Sequence, residues 1–111
     1  GEGLEHRVTC VRHLFESGHV VLQFAVTNQA EIKGQNISNV LVRVVSSDDD
    51  LYDVEAEIEL PFLPFSSTGS CYIILREKKQ TIGTVHTSFS CDLYFDDRST
   101  PLQNLEISTD H

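Results

Sequence analysis

The sequence predicts an all-β protein, an antiparallel β-sandwich of about seven strands. Three observations carry that prediction. Apolar and polar residues alternate with period two in successive segments. Clusters of turn residues separate those segments by roughly a dozen positions. No stretch sustains the spacing of an amphipathic helix. The chain has 111 residues, enough for a single domain over 1–111 with a core of its own.

The elements follow in order. His6 to Phe15 is β-rich and bounded by Ser17-Gly18. His19 to Asn28 places Val20, Leu22, Phe24 and Val26 on one face. Its other face (Val21, Gln23, Ala25, Thr27) is only half polar, as in a central strand. Asn28 through Asn36 is a polar loop, and Val40 to Val45 a β-branched run. Asp53 to Leu60 alternates strictly, which a helix would smear around its circumference. It reads as a strand with one carboxylate face: Asp53, Glu55, Glu57 and Glu59. Pro61 and Pro64 end that pattern, and Ser66 to Gly69 reads as a turn. Cys71 to Leu75 is a short strand, followed by a hairpin-like loop, Arg76 to Gln80. Thr84 to Phe95 is the longest candidate, with Phe89, Cys91 and Leu93 on one face. Leu102 to Ile107 closes the series. The expected core includes Phe15, Phe24, Val26, Val42, Cys71, Phe89 and Cys91.

Charge narrows the function. The net charge is −9, from 17 acidic and 8 basic residues, and both halves of the chain share it. A uniformly acidic surface argues against duplex nucleic acid and anionic lipid as direct partners. No apolar run approaches the ~18 residues that span a bilayer. The chain lacks methionine and starts at Gly1-Glu2-Gly3, which reads as a piece of a longer protein.

Candidate chemistry is thin. Cys10, Cys71 and Cys91 each lie in an apolar run, where a free thiol behaves as a small hydrophobe. They read as reduced thiols of a reducing compartment. The rival arrangement is one disulfide and one free thiol in a secreted domain, to which the sequon Asn36-Ile37-Ser38 would add a glycan. The carboxylates of Asp53 to Glu59 read as a solvated face that discourages edge aggregation. Asp48-Asp49-Asp50 lacks the ligand spacing of an EF-hand, although calcium between loops is a minor alternative. Cys10 and His13 have a metal-like spacing with no second pair, and on a strand they face opposite ways. His13 is therefore expected to be a partly buried core histidine; His6, His19, His86 and His111 are scattered. Ser88 to Cys91 lies mid-strand rather than on a nucleophile elbow. Arg76, Lys78 and Lys79 surround Glu77 in what reads as a solvated hairpin tip. Tyr72 and Tyr94 alternate with polar neighbours, as at a sandwich corner. No catalytic, cofactor or metal residue is assigned. The residues describe an acidic, non-enzymatic binding or scaffolding module.

Ordered strings take the reading further. They are Thr9-Cys10-Val11-Arg12-His13-Leu14-Phe15, His19-Val20-Val21-Leu22-Gln23-Phe24, Thr27-Asn28 and Asn39-Val40-Leu41-Val42. Leu63-Pro64-Phe65, Gly69-Ser70-Cys71-Tyr72, Ser88-Phe89-Ser90-Cys91, Asn104-Leu105-Glu106-Ile107 and Asp110-His111 complete them. In this order they resemble the appendage, or ear, domain of the coatomer gamma subunit of the COPI vesicle coat. The resemblance covers nearly the whole chain, with gaps in loops.

It implies an immunoglobulin-like sandwich subdomain followed by a mixed α/β platform, at the end of a flexible linker. The chain is then expected to be the N-terminal sandwich, with the platform lying beyond His111. The implied role is non-enzymatic: recruitment of accessory proteins, Arf GTPase-activating proteins among them, in Golgi-to-endoplasmic-reticulum and intra-Golgi transport. The implied location is cytosolic and peripheral on Golgi membrane, with the other coatomer subunits as partners and no cofactor. The family's partner site lies on the platform around a tryptophan. This sequence has none, so no site residue carries over. The acidic strand Asp53 to Glu59 also departs from the family's pattern.

Two other readings stay open from the residues. One is a secreted or cell-surface Ig-like adhesion domain, glycosylated at Asn36 and disulfide-bonded. The other is a self-sufficient adaptor ear that binds acidic, apolar peptides, which needs a basic groove.

Overall fold

A computed structural model describes residues 7–29, 35–47, 52–78, 88–96 and 103–108. Eight strands run through them: β1 (Arg7–Leu14), β2 (His19–Thr27), β3 (Ile37–Ser47), β4 (Tyr52–Ile58), β5 (Leu60–Leu63), β6 (Thr68–Glu77), β7 (Ser88–Tyr94) and β8 (Gln103–Ser108). They form two antiparallel four-stranded sheets, ordered β1-β2-β6-β4 and β5-β3-β7-β8. With β5 set aside, β1-β2-β6-β4 against β3-β7-β8 is the strand order of an immunoglobulin constant-type sandwich. The all-β sandwich expected from the alternation is the observed fold.

The alternation becomes the core. Val20, Leu22, Phe24 and Val26 of β2 and Cys71, Ile73 and Leu75 of β6 are buried on one sheet. Val40 and Val42 of β3 and Phe89, Cys91 and Leu93 of β7 are buried on the other. Fully burying a side chain such as Phe24 is worth about 2–3 kcal/mol. Tyr52 closes one side of this core, its ring centroid 5.9 Å from that of Phe89.

Phe15 is a correction. It is 54% exposed, not in the core. It begins the three-residue turn between β1 and β2, where its N–H donates to His19 O at 3.0 Å and its carbonyl accepts from Gly18 N at 3.1 Å. Gly18 there has φ +87°, the left-handed residue that a three-residue hairpin loop requires.

The eighth strand is the second difference. The expected single strand from Asp53 to Leu60 leaves the first sheet after Ile58 and enters the second at Leu60. Pro61 does not end pairing; it sits inside β5. The register aligns Leu60 with Val40, Phe62 with Ser38 and Leu63 with Ile37. Asn39 and Pro61, which that register would set opposite each other, are unpaired. Proline has no N–H to give, and Asn39 takes φ +53°. β5, a short edge strand, tolerates the proline, and β3 absorbs the positive φ of Asn39.

Other boundaries moved outward. Ile37 and Ser38, which lie between the expected loop and the expected strand, start β3, and Ile37 is buried. Thr68 and Gly69 of the expected turn, and Arg76 and Glu77 of the expected tip, belong to β6. Asp48 to Asp50, Lys79, Thr84 to Thr87, and His6 and His111 lie outside the described residues.

Gly69 allows a close approach between the sheets. A Cβ built there would lie 2.5 Å from Leu60 Cδ2 and 3.4 Å from Leu63 Cδ1. A bare backbone on β6 is what lets β5 lean across it.

Candidate partner surface

Asn28 ties one end of the sandwich. It is 2% exposed and the only buried polar residue among those described. Its Nδ2 donates to Gln35 O at 2.8 Å and to Leu63 O at 3.1 Å. Its backbone exchanges bonds with the turn after β5, from Asn28 N to Ser67 O and from Ser66 N to Asn28 O. One side chain thus fastens the end of β2 to the loop before β3 and to the end of β5. In the sequence Asn28 stands only where the strand from His19 meets a polar loop.

At the opposite end, the acidic strand does not present one face. A bulge between Val54 and Ala56 shifts the register of β4 on β6. The carboxylates then find partners on different strands. Asp53 Oδ1 lies 3.5 Å from Lys78 Nζ, and Glu57 Oε1 lies 3.4 Å from Arg43 Nε on β3 of the facing sheet. Glu59 accepts from Asn39 Nδ2 at 3.4 Å. Glu55 Oε1 meets His19 Nε2 at 2.9 Å, while its Oε2 is 3.5 Å from Arg76. The single carboxylate face is corrected to a set of separate pairs across β4. Solvent-exposed pairs of this kind contribute about 0–1 kcal/mol each. Arg76 and Lys78, expected at a solvated tip, are among those partners.

Ser17 Oγ lies 2.7 Å from His19 Nδ1, so Ser17, His19 and Glu55 stand in a hydrogen-bonded line. It borders a depression of about 350 Å³ lined by Phe15, Glu16, Ser17, Gly18, Arg76 and Glu77. The line has the residue types of a hydrolytic triad but not its setting. His19 and Glu55 are 31% and 35% exposed, and the adjacent Gly18 N–H is already given to Phe15 O. That amide is therefore not available to an oxyanion. What the line does is pin the β1–β2 turn to β4.

His13 corrects another expectation. It is exposed on the outer face of β1, with Nε2 2.9 Å from Gln23 Oε1. Cys10 points the other way and packs against the core. No cluster of three or more His, Cys, Asp or Glu side chains that could hold a metal occurs among the described residues. Tyr94 lies on the outer face with Arg43, whose guanidinium carbon is 5.7 Å from the ring centroid.

All three cysteines are free thiols. Cys10 and Cys71 flank Phe24 in one row of the first sheet. Two strand spacings set them roughly 9–10 Å apart, beyond the reach of a disulfide. Burial pushes the Cys10 thiol up to about 11, against the nearby Arg12. Burial likewise pushes Cys71 up to about 12 despite backbone hydrogen bonds. Cys91 rises to about 12 through burial first, then through Cys10, Asp92 and Glu106. These thiols stay protonated and unreactive at neutral pH.

The sheet edges differ. β4 is bulged and acidic. β5 has four residues and contains Pro61. β8 has six residues, and its Asn104 folds back to Ser90 Oγ, Cys91 O and Asp92 Oδ1. β1 has eight residues in unbroken register with β2.

The strand order defines an Ig-like sandwich module. A family model described as the coatomer gamma subunit appendage platform subdomain matches residues 2–108. The chain belongs to the coatomer gamma subunit appendage family. It is 35% identical over 91 residues to coatomer subunit gamma-2 of Homo sapiens, covering 82% of this chain and 10% of that protein. It is 38% identical over 72 residues to coatomer subunit gamma of Dictyostelium discoideum, covering 65% and 8%. Coatomer subunit gamma-1 of Rattus norvegicus is 31% identical over 91 residues, covering 82% and 10%. The chain thus spans about a tenth of the length of these relatives.

Proposed function

We propose that this chain is the Ig-like sandwich half of a coatomer gamma appendage and serves as a non-enzymatic scaffold in a COPI coat. The observation that carries this reading is the family match across residues 2–108. The sandwich assignment, as distinct from the platform in that family's description, is supported by strand order: the described residues form two four-stranded sheets and contain no helix. The mechanism is mechanical. Two packed sheets joined by a continuous apolar core make a rigid body, which holds a following platform in a fixed pose at the end of the flexible linker. Recruitment of Arf GTPase-activating proteins and other accessory factors, in Golgi-to-endoplasmic-reticulum and intra-Golgi transport, is then the work of the whole appendage. Location on the cytosolic side of Golgi membrane follows from the same reading, and three free thiols suit that reducing compartment.

The test is native capture of the full-length protein from its own cells, with mass identification of what accompanies it. Coatomer subunits in comparable amounts are the expected result. Their absence, together with a glycan on Asn36, overturns the reading in favour of a secreted Ig-like domain.

A further inference from the structure

We propose that the open edge of β1 is a strand-addition site for an extended peptide of another protein, one in which carboxylate and apolar side chains alternate. The inference stands on strand geometry and charge and does not depend on the coat reading.

The phase of the β1–β2 ladder comes first. Phe15 N donates to His19 O, so Phe15 and His19 are a hydrogen-bonded pair. Such pairs recur at every second residue of an antiparallel ladder. Arg7, Thr9, Val11 and His13 therefore bond to β2. The amides and carbonyls of Val8, Cys10 and Leu14 point away from it, and no strand lies beyond β1 among the described residues. That row is the template used in strand addition.

Comparison of the edges comes second. The bulge of β4 and the proline of β5 obstruct a new strand, and Glu106 is exposed on β8. β1 is long, unbulged and rich in β-branched residues, and it exposes Val11 (50%), Leu14 (63%) and Phe15 (54%).

Charge selects the occupant. In a chain of net charge −9, the segment from Arg7 to Phe15 holds two arginines and a histidine and no acid. Arg7 is exposed on the outer face; Arg12 is half-buried in the inner phase. Arg7, exposed on that edge, repels a basic strand and attracts an acidic one. Net charge disfavours a second copy of this chain. Two β1 edges side by side would bring together two bodies of net charge −9 each.

The experiment uses this chain with a blocked peptide of alternating Glu and Val, and with a Lys–Val peptide of equal length. Amide hydrogen exchange is followed by NMR. In the free protein the Val8, Cys10 and Leu14 amides should exchange faster than those of Thr9 and Val11. With the Glu–Val peptide they should become protected, at a dissociation constant on the order of 100 µM. The Lys–Val peptide should leave them unchanged. Leu14→Pro removes one outward N–H without touching the β2 ladder and should weaken binding about tenfold. Arg7→Glu should weaken it about threefold at low salt and less at high salt. Arg7→Glu alters an exposed side chain, so it decides the matter if Leu14→Pro does not fold. No protection at about 1 mM Glu–Val peptide overturns the proposal. Equal protection by both peptides overturns the charge selection. Protection that grows with protein concentration alone assigns the edge to a second copy instead.

Discussion

Replacing Asn28 with aspartate alters one atom group and should be among the most damaging single changes in this domain. Asn28 Nδ2 faces two carbonyl oxygens, of Gln35 and Leu63, at 2.8 and 3.1 Å, in a site 2% exposed. Asn28→Asp puts an acceptor where both neighbours are acceptors. An ionised carboxylate there is untenable, so the folded state takes up a proton and restores one of the two bonds. Holding that proton near pH 7 costs about 1.4 kcal/mol for each unit above the unfolded value of about 3.9, hence about 4 kcal/mol. The second lost bond adds about 1 kcal/mol. The sign follows from a folded pKa raised above the unfolded one. The protonated form's full stability is present below about pH 4 and is lost as pH rises. Urea unfolding should show a loss of about 5 kcal/mol near pH 7 and about 2–3 kcal/mol near pH 5. Domains of this kind hold roughly 5–15 kcal/mol in total, so the variant should sit near its unfolding threshold at neutral pH and gain structure on mild acidification. Asn28→Ala should cost about 2–3 kcal/mol with no such pH dependence. A cost below about 1.5 kcal/mol for Asn28→Asp near pH 7, or parallel pH dependence of variant and parent, would refute the assigned hydrogen bonds.

The remaining predictions concern the thiols and one glycine. Cys71 and Cys91 have pKa values raised to about 12 from 9.0, so stability should be full below pH 9 and fall as pH rises from there towards 12. The slope should reach up to about 1.4 kcal/mol per pH unit for each thiol, and Cys71→Val should shallow it in a urea series. Gly69→Ala, which places a methyl 2.5 Å from Leu60 Cδ2, should displace the Leu60 side chain from its place over β6. A loss of about 1–3 kcal/mol in thermal unfolding is expected, and Leu60→Ala in the same chain should restore part of it.

Much of the fold was legible in the chain. Period-two alternation needs no knowledge of neighbours, because side chains of a strand point alternately to opposite faces. Phe24, Val26, Val42, Cys71, Phe89 and Cys91 could therefore be placed in the core, and all six are buried. Phe15 failed because its place is set by the turn that Gly18 permits, not by its own alternation. The run from Asp53 to Glu59 failed for a related reason. A one-residue bulge reverses every later side chain, and nothing in the local alternation announces it.

Alternation and composition alone establish that this chain buries two alternating faces against each other, carries no helix-forming pattern and is strongly acidic. Tertiary structure decided the rest. It decided that the chain changes sheets between Ile58 and Leu60, that Asn28 spends its amide on the carbonyls of Gln35 and Leu63, and that each carboxylate from Asp53 to Glu59 meets a base or amide of another segment. It decided too that β1 ends its sheet, with no strand beyond it among the described residues. Local patterning records which way a side chain faces. Which strand lies beside it depends on pairing between segments tens of residues apart, and no short window of sequence contains that information.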